Sequence, residues 1–530
     1  MCYLLLPQAP SGGGLASQYD WVGSFWVSIL LTLRPLRPLA TLYRSAWALP
    51  VLVAVLGLIG VLNHSMWRDE MNVWLIARDS ASWGELIENI HYDRAHPGLW
   101  HLLVVGLYHS FGNPVAMQIF HWLLGVGSVV LIWVFSPFRR WQKWLLCFGY
   151  LPFYEHMLIA RNYAVGMLAL FAICTLWPWR RRSYLPLALL IALLANSNVY
   201  GLLIAIALGL TLGIELIADV TMPRRWLDIG TSAIIILIGC GISLYFILPP
   251  SDVADQALGT YVTGFDLKQL LKTLGRLFAG YYTIIPDGSR YVDLILCAAI
   301  ALGSAGLVVL RLVRQPYALS FYLLANGLIL AFTYAKFMPS AVRHFGNLYL
   351  VLLAALWIAH HYPPRTKLSP LGRWGLRSRR WYGHMLATIL VFHLGAGLYF
   401  FTTDLRVPYS AGRAAAAYMR QTGLENEFIV ASRDAQMASL SGYLGRPFYY
   451  PERQATGSYT LFFKGRRQEV EQSEVLTQAR ELLLQQDKIL LVLSDELAAD
   501  TLGLAVEPIR DFQESWQDEQ YYLYWLSQAS

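Results

Sequence analysis

Charge is what this 530-residue chain has least of. Asp, Glu, Lys and Arg together make 14% of it, little more than half of the roughly one quarter usual in soluble domains. Cysteine is scarce too, at five residues (Cys2, Cys147, Cys174, Cys240 and Cys297), and none lies beyond residue 402. Those positions exclude a disulfide framework and a cysteine-based metal site. The sequence also lacks internal repeats and low-complexity segments. An ordinary soluble enzyme is excluded by the first of these shortages.

Apolar residues fill the space, at 56% of the chain, with 19 tryptophans and a mean hydropathy of +0.43. A helical crossing needs about 20 apolar residues. Candidate spans fall at 45–62, 97–112, 115–135, 144–159, 164–178, 185–195, 201–218, 227–248, 291–310, 317–335, 345–360 and 384–402. Before them, the apolar stretch Trp21–Leu33 is too short to span and reads as interfacial rather than as a cleaved signal. Beyond residue 402 the character changes. Residues 403–530 hold 18 acids against 12 Lys/Arg, a net −6, which leaves +13 on the rest of a chain whose total is +7.

That positive excess sits in short loops, where it reports orientation rather than nucleic-acid binding. Clusters at Arg34/Arg37/Arg44, Arg139/Arg140/Lys143, Arg180–Arg182, Arg224/Arg225 and Arg311/Arg314 are expected on the cytoplasmic side. So is loop 361–384, which has six Lys/Arg and no acid. Segments 64–96, 196–200, 249–290, 336–344 and the C-terminal part then face outward. Seven candidates between two outer loops is an odd number, so one must not cross. The proline-led, 16-residue stretch 97–112 is the preferred one, giving 11 crossings with the N-terminus inside and the C-terminus outside. In the acidic part, "EFIVAS" (427–432) and "KILLVLS" (488–494) read as buried strands, and "DEQYYLYWLS" (518–527) as a final strand. "EVLTQARELLLQQ" (474–486) has helical spacing. The expected fold is a polytopic α-helical membrane protein of about 11–12 spans with a C-terminal extracytoplasmic α/β domain. Its divisions are 1–44, 45–402 and 403–530.

"SMWRDEMNVWLIARDS" (65–80) follows the first span and opens with an acidic pair, Asp69 and Glu70. As a helix, it places Trp67, Met71, Trp74 and Arg78 on one stripe suited to the headgroup region. Asp69 lies about 200° away from Trp67, at 100° per residue. Glu70 lies on the flank, and adjacent helical carboxylates diverge, so the two acids do not share a proton and take different roles. Two readings are open: a pair of solvated loop charges, or a reactive carboxylate over a membrane-embedded cavity. The rest of the loop, "ENIHYDRAHPGLWH" (88–101), adds His91, Asp93, Arg94, His96 and His101.

Later segments carry polar groups where lipid penalises them. "FYEHMLIARNYAVG" (153–166) brings Glu155, His156, Arg161, Asn162 and Tyr163. "ANSNVYG" (195–201) brings Asn198 and Tyr200, and "KFMPSAVRHFG" (336–346) brings Lys336, Arg343 and His344. Ionisable residues at membrane depth commonly face a polar cavity; snorkelling topology anchors are the other reading. Arg161 and Arg343 fall on the expected outer side, against the cytoplasmic bias. A carboxylate can deprotonate an acceptor hydroxyl, arginines can hold a phosphate leaving group, and an apolar groove accommodates a lipid tail. Together these fit sugar transfer from a lipid-phosphate donor.

"MWRDEMNVWLIARDS", "HPGLWH", "ARNYAVGMLAL" and "VRHFG", in that order, resemble the motifs of the GT-C superfamily of integral-membrane glycosyltransferases. That superfamily includes the protein O-mannosyltransferases and the lipid A aminoarabinose transferases. The resemblance covers roughly residues 45–360. It implies a polyprenyl- or dolichyl-phosphate sugar donor, inverting transfer, an extracytoplasmic site and residence in a bacterial inner or plasma membrane. The acceptor would be a lipid, glycan or protein. It makes Asp69 the base, with Glu70 beside it positioning the loop or holding an optional divalent cation. It turns Arg161 or Arg343 toward the donor phosphate and makes His96, Tyr163, Asn198, Tyr200 and His344 their substrate-binding neighbours. The chain differs from the family at "HPGLWH", where a second proline is frequent, and at "NSNVYG", where a histidine–tyrosine pair is common. A lipid-linked saccharide polymerase or ligase shares this logic, but would favour more arginines in an outer loop than 249–290 offers. A transporter or flippase would more often show inverted repeats. A non-catalytic interaction protein has no need of the acid and arginine sets.

Overall fold

The computed structural model describes residues 3–4, 47–93, 96–248, 250–251, 260–262, 264–337, 342–365, 370–464, 466–498 and 501–529. The expected interfacial stretch Trp21–Leu33, the Arg34/Arg37/Arg44 cluster, Arg94 and residues 338–341 and 366–369 lie outside the described residues. The helices before residue 405 are α1 (Ala48–Asn63), α2 (Arg68–Asp79), α3 (Trp83–Tyr92), α4 (Leu99–Phe111), α5 (Val115–Phe135), α6 (Arg140–Cys147), α7 (Tyr163–Leu176) and α8 (Leu185–Ala195). They continue with α9 (Val199–Ala218), α10 (Trp226–Ile247), α11 (Leu267–Tyr282), α12 (Tyr291–Leu312), α13 (Pro316–Ala335), α14 (Val342–His360), α15 (Pro370–Arg377) and α16 (Arg379–Asp404). Two short strand pairs accompany them: β1 (Tyr3–Leu4) with β3 (Ile284–Ile285), and β2 (Thr260–Tyr261) with β4 (Lys336–Phe337).

Among the described residues, eight helices are long and apolar enough to cross a membrane: α5, α7 with its 3₁₀ continuation to Arg181, α9, α10, α12, α13, α14 and α16. The pair α1 and α2, bent by 78°, would make a ninth. The chain is a multi-pass membrane protein. Four of the twelve candidate spans fall short as single helices. Stretch 45–62 becomes α1, with 16 residues, and qualifies only together with α2. Stretch 97–112 becomes α4, with 13 residues, about 20 Å at 1.5 Å per residue. Stretch 185–195 becomes α8, with 11 residues. Stretch 144–159 is broken into α6 and a buried π-helical turn, Tyr150–Glu155, because Pro152 has no N–H to continue an α-helix.

One of the short pieces, α8, still carries the chain back. The first turns of α7, α9 and α14 meet through Tyr163, Tyr200 and His344. At the far ends of the same helices Arg180, Glu215 and Tyr362 form one buried network: Arg180 is bidentate to Glu215 at 2.8 and 3.0 Å, and Tyr362 donates to Glu215 at 2.7 Å. Helices α7, α9 and α14 therefore run parallel, and α8 must return the chain between the first two.

The C-terminal part contains α17 (Gly412–Thr422), β5 (Ile429–Ala431), α18 (Asp434–Leu444), β6 (Phe448–Tyr450), β7 (Ala455–Gly457), α19 (Gln472–Leu482), β8 (Ile489–Leu493), β9 (Leu504–Phe512) and β10 (Tyr521–Gln528). Its mixed sheet has the order β7-β6-β5-β8-β10-β9. Strand β5 is parallel to both β6 and β8, and the other pairs are antiparallel. Strand β8 is buried throughout. Leu490 and Val492 pack with α17 and α18, while Ile489, Leu491 and Leu493 pack with α19. A strand covered on both faces is continuously apolar, which is how "KILLVLS" reads.

Helix α18 lies on α2, and this overturns the headgroup reading of the α2 stripe. Trp67, Met71 and Trp74 are buried at 5%, 0% and 1% exposure. Met71 packs on Gly442, and Tyr443 accepts a hydrogen bond from the Met66 N–H at 2.7 Å. An apolar stripe looks the same whether lipid or a folded domain covers it.

Candidate functional site

Asp69 sits in the first turn of α2, where the chain emerges from α1 and turns sharply. Its Oδ2 meets two guanidinium groups. Arg161, from the loop leading into α7, donates through Nη1, and Nη2 of Arg343, in the first turn of α14, lies 3.5 Å away. The two arginines, 182 positions apart in sequence, are brought together by the neighbouring helices α7 and α14. The Asp69 side chain keeps 27% of its exposure, against 9% for Arg161 and 18% for Arg343. Arg343 also covers the face of Trp67 at 5.3 Å. The carboxylate thus lies at the mouth of the bundle and the guanidinium groups lie deeper.

Glu70, next in sequence, points elsewhere, as helical geometry requires. It is fully buried. Its Oε1 accepts from the Ala160 N–H at 2.6 Å, and Oε2 contacts His64 Nε2 at 2.9 Å and the Trp67 N–H at 3.2 Å. His64 Nδ1 in turn meets Asp404 Oδ2 at 2.7 Å. A carboxylate–imidazole–carboxylate chain thus ties the start of α2 to the end of α16 and to the residue before Arg161. Among the described residues, no group of three or more His, Cys, Asp or Glu side chains is placed to hold a metal ion.

The wall beside the arginines is aromatic. His344 stacks on Tyr200 with centroids 5.7 Å apart, lies 6.1 Å from Tyr163, and Tyr163 stacks on His156 at 5.6 Å. His96 lies within electrostatic reach of Arg161 and Asp69, and burial pushes its imidazole down to about 4, so it is neutral at pH 7. Nearby, burial works to raise Asp93. Its contact with His101 Nε2 at 2.9 Å, with the neighbouring positive charges, outweighs that and holds the carboxyl below the usual range. Asn72 donates to the same carboxylate at 3.0 Å. Asn198 stands apart from this group. Its Oδ1 accepts from the Gly201 N–H at 2.9 Å and caps α9, so its work is to start the helix that presents Tyr200.

Several buried polar atoms at this place have no hydrogen-bond partner among the described residues: Trp67 Nε1, both ring nitrogens of His156, Asn162 Oδ1, Arg343 Nε and His344 Nδ1. Buried polar groups are nearly always paired. Sequence reasoning misses His64 and Asp404 as site residues. His64 directly follows the first span and is visible there. Asp404 lies 340 positions away, and only the fold joins them.

No family model and no curated protein matches the chain. Among solved structures it is similar to the crystal structure of ArnT from Cupriavidus metallidurans bound to undecaprenyl phosphate. The two are 13% identical with a TM-score of 0.45, and the match covers 90% of this chain and 97% of that one. At that identity and score the likeness assigns neither a ligand nor a reaction to this chain.

Proposed function

We propose that this protein is a membrane glycosyltransferase of the GT-C type. It moves a sugar from a polyprenyl-phosphate donor to an acceptor hydroxyl at the outer face, with inversion at the anomeric carbon. The single observation behind this reading is the convergence of Arg161 and Arg343, 182 positions apart, on the partly exposed carboxylate of Asp69. Cations at helix N-termini are unfavourable unless an anion sits with them, and the N-termini of α7, α9 and α14 add their own positive ends to the same spot. Asp69 is the anion there now. A donor phosphate has the charge and the paired oxygens to take over both planar guanidinium groups.

The displaced Asp69 is then free to act as a base. It removes the acceptor hydroxyl proton as that oxygen attacks the anomeric carbon from the side opposite the phosphate. The bond from that carbon to the phosphate oxygen breaks with its electron pair, and Arg161 and Arg343 hold the charge that develops on the leaving phosphate. The aromatic wall of Tyr163, Tyr200 and His344 gives the sugar a surface, and neutral His96 offers a hydrogen bond without adding charge. Glu70, with its oxygens held by His64, Trp67 and Ala160, is a positioning residue that fixes where Asp69 can reach. The test is transfer from a panel of radiolabelled polyprenyl-phosphate sugars by purified protein. Labelled product with release of the polyprenyl phosphate supports the reading. Translocation of the lipid without transfer would replace it with a flippase.

A further inference from the structure

The C-terminal sheet carries a second crevice that the transfer chemistry does not use. From β5 the chain goes through α18 to β6 on one side. After β7 it comes back through α19 to β8 on the other side of β5. Strands β5 and β8 are therefore adjacent and parallel, with the connections leaving in opposite directions. In open α/β sheets a ligand crevice forms at this point, beyond the carboxyl ends of the two strands. A crevice of about 330 Å³ lies there, formed by the residues that end β5 and β8 and those that lead into α19. That volume is at the lower end of the roughly 300–1,000 Å³ typical of small-molecule sites.

Its floor is Ser432, Leu493 and Ser494, all buried, and its rim carries Arg433, Glu469, Glu471 and Asp495. Arg433 has a φ of 65°, a left-handed conformation costly for a side chain of this type. The turn is held by Glu452, buried at 5% exposure, which accepts from Ser432 Oγ at 2.8 Å and from the Arg433 N–H at 2.6 Å. So placed, the Arg433 guanidinium reaches Asp495 at 2.8 Å and Glu469 at 3.4 Å. Both partners are more than half exposed, so these pairs are cheap to rearrange around a ligand.

The lining narrows the ligand class. Three carboxylates against one guanidinium repel phosphates and nucleotides. Among the described residues, no set of His, Cys, Asp and Glu is placed to hold a metal ion. What remains is a dense alternation of acceptors and donors: carboxylates that can each take two neighbouring hydroxyls, the hydroxyls of Ser432 and Ser494, and the guanidinium of Arg433. We infer that this crevice binds a neutral, hydroxyl-rich small molecule, a saccharide of one or two rings. The inference does not depend on Asp69 being a base.

The experiment is ligand-observed NMR and calorimetric titration of the full-length protein in lipid nanodiscs, which carry no sugar headgroup. Neutral mono- and disaccharides are compared with inorganic phosphate, a nucleoside diphosphate and a diamine. A saccharide should bind in the millimolar range. Glu469→Gln and Asp495→Asn, both at exposed positions, should each weaken it by about tenfold, the loss of a charge-assisted hydrogen bond. Asp69→Asn, at the other site, should leave this binding unchanged, so failure here and failure of the transfer reading are distinguishable. No saccharide binding at tens of millimolar, binding insensitive to both rim variants, or a preference for phosphate, nucleotide or diamine would each overturn the inference.

Discussion

At the scale of single residues, guanidinium geometry decides what this site can hold. Arg161 and Arg343 approach one carboxylate oxygen from two helix ends, an arrangement in which a planar fork and a point charge behave differently. Arg161→Lys and Arg343→Lys keep the charge and lose the fork. Each should lower kcat for transfer and raise the KM for donor, by about tenfold or more if two charge-assisted hydrogen bonds are lost. Steady-state kinetics with a defined polyprenyl-phosphate sugar reads this. Wild-type rates in both variants would mean that the arginines only anchor helix ends. Much of this site is legible in the sequence. An arginine at the end of an apolar span, beside other polar residues, is conspicuous, and so is an acidic pair in an otherwise acid-poor membrane part. The division of labour between the acids is only half legible. Helical geometry separates Asp69 from Glu70, but the burial of Glu70 depends on His64 and Asp404, whose contact spans most of the chain.

At the scale of elements, α14 is held in place by close backbone approaches. A Cβ added at Gly280 of α11 would press into the carbonyl oxygen of Phe345, two residues after Arg343. Small residues at such crossings let membrane helices approach closely. Gly280→Ala should therefore push α11 from the first turn of α14, lowering stability by about 1–3 kcal/mol and displacing Arg343 enough to reduce transfer. Gly303→Ala, in α12 with open space around it, is the control and should be neutral by both thermal denaturation and rate. Nothing in the residue pattern marks which glycines meet backbone. The pattern also places helical elements better than it sizes them. Stretch 144–159 is apolar enough to span, yet Pro152 breaks it. The α2 stripe has the right spacing for an interface with lipid, yet a folded domain covers it. Apolar periodicity tells that a face is dry, and is silent on what keeps it dry.

At the scale of the whole molecule, the C-terminal domain clasps the segment that carries Asp69. Arg413 donates to the carbonyls of Leu62, Asn63 and His64, and Thr460 exchanges hydrogen bonds with Asn72 at 2.7 and 3.1 Å. Glu519 accepts from the Arg68 N–H at 2.8 Å. Burial outweighs the nearby Arg68 guanidinium and pushes the Glu519 carboxyl up to about 8. A carboxyl that binds its proton more tightly folded than unfolded stabilises the fold fully below its ordinary 4.5. That contribution is lost as pH rises through 8. The stability difference between wild type and Glu519→Gln, measured by denaturation at pH 5 and at pH 9, should shift by a few kcal/mol in favour of the variant at the higher pH. A difference independent of pH would contradict it. A domain that grips the Asp69 loop must share its side of the membrane, so a fusion after Ser530 should be active only as an outward-facing reporter, and one within loop 361–384 only as a cytoplasmic one. The opposite pattern would invert the topology. If Asp69 removes the acceptor proton, transfer from a verified donor by Asp69→Asn, with folding confirmed by its melting temperature, reads that role. The amide keeps the shape and cannot take a proton, so the account predicts a fall of about 10²–10⁴-fold in kcat. Full activity in that variant would contradict it.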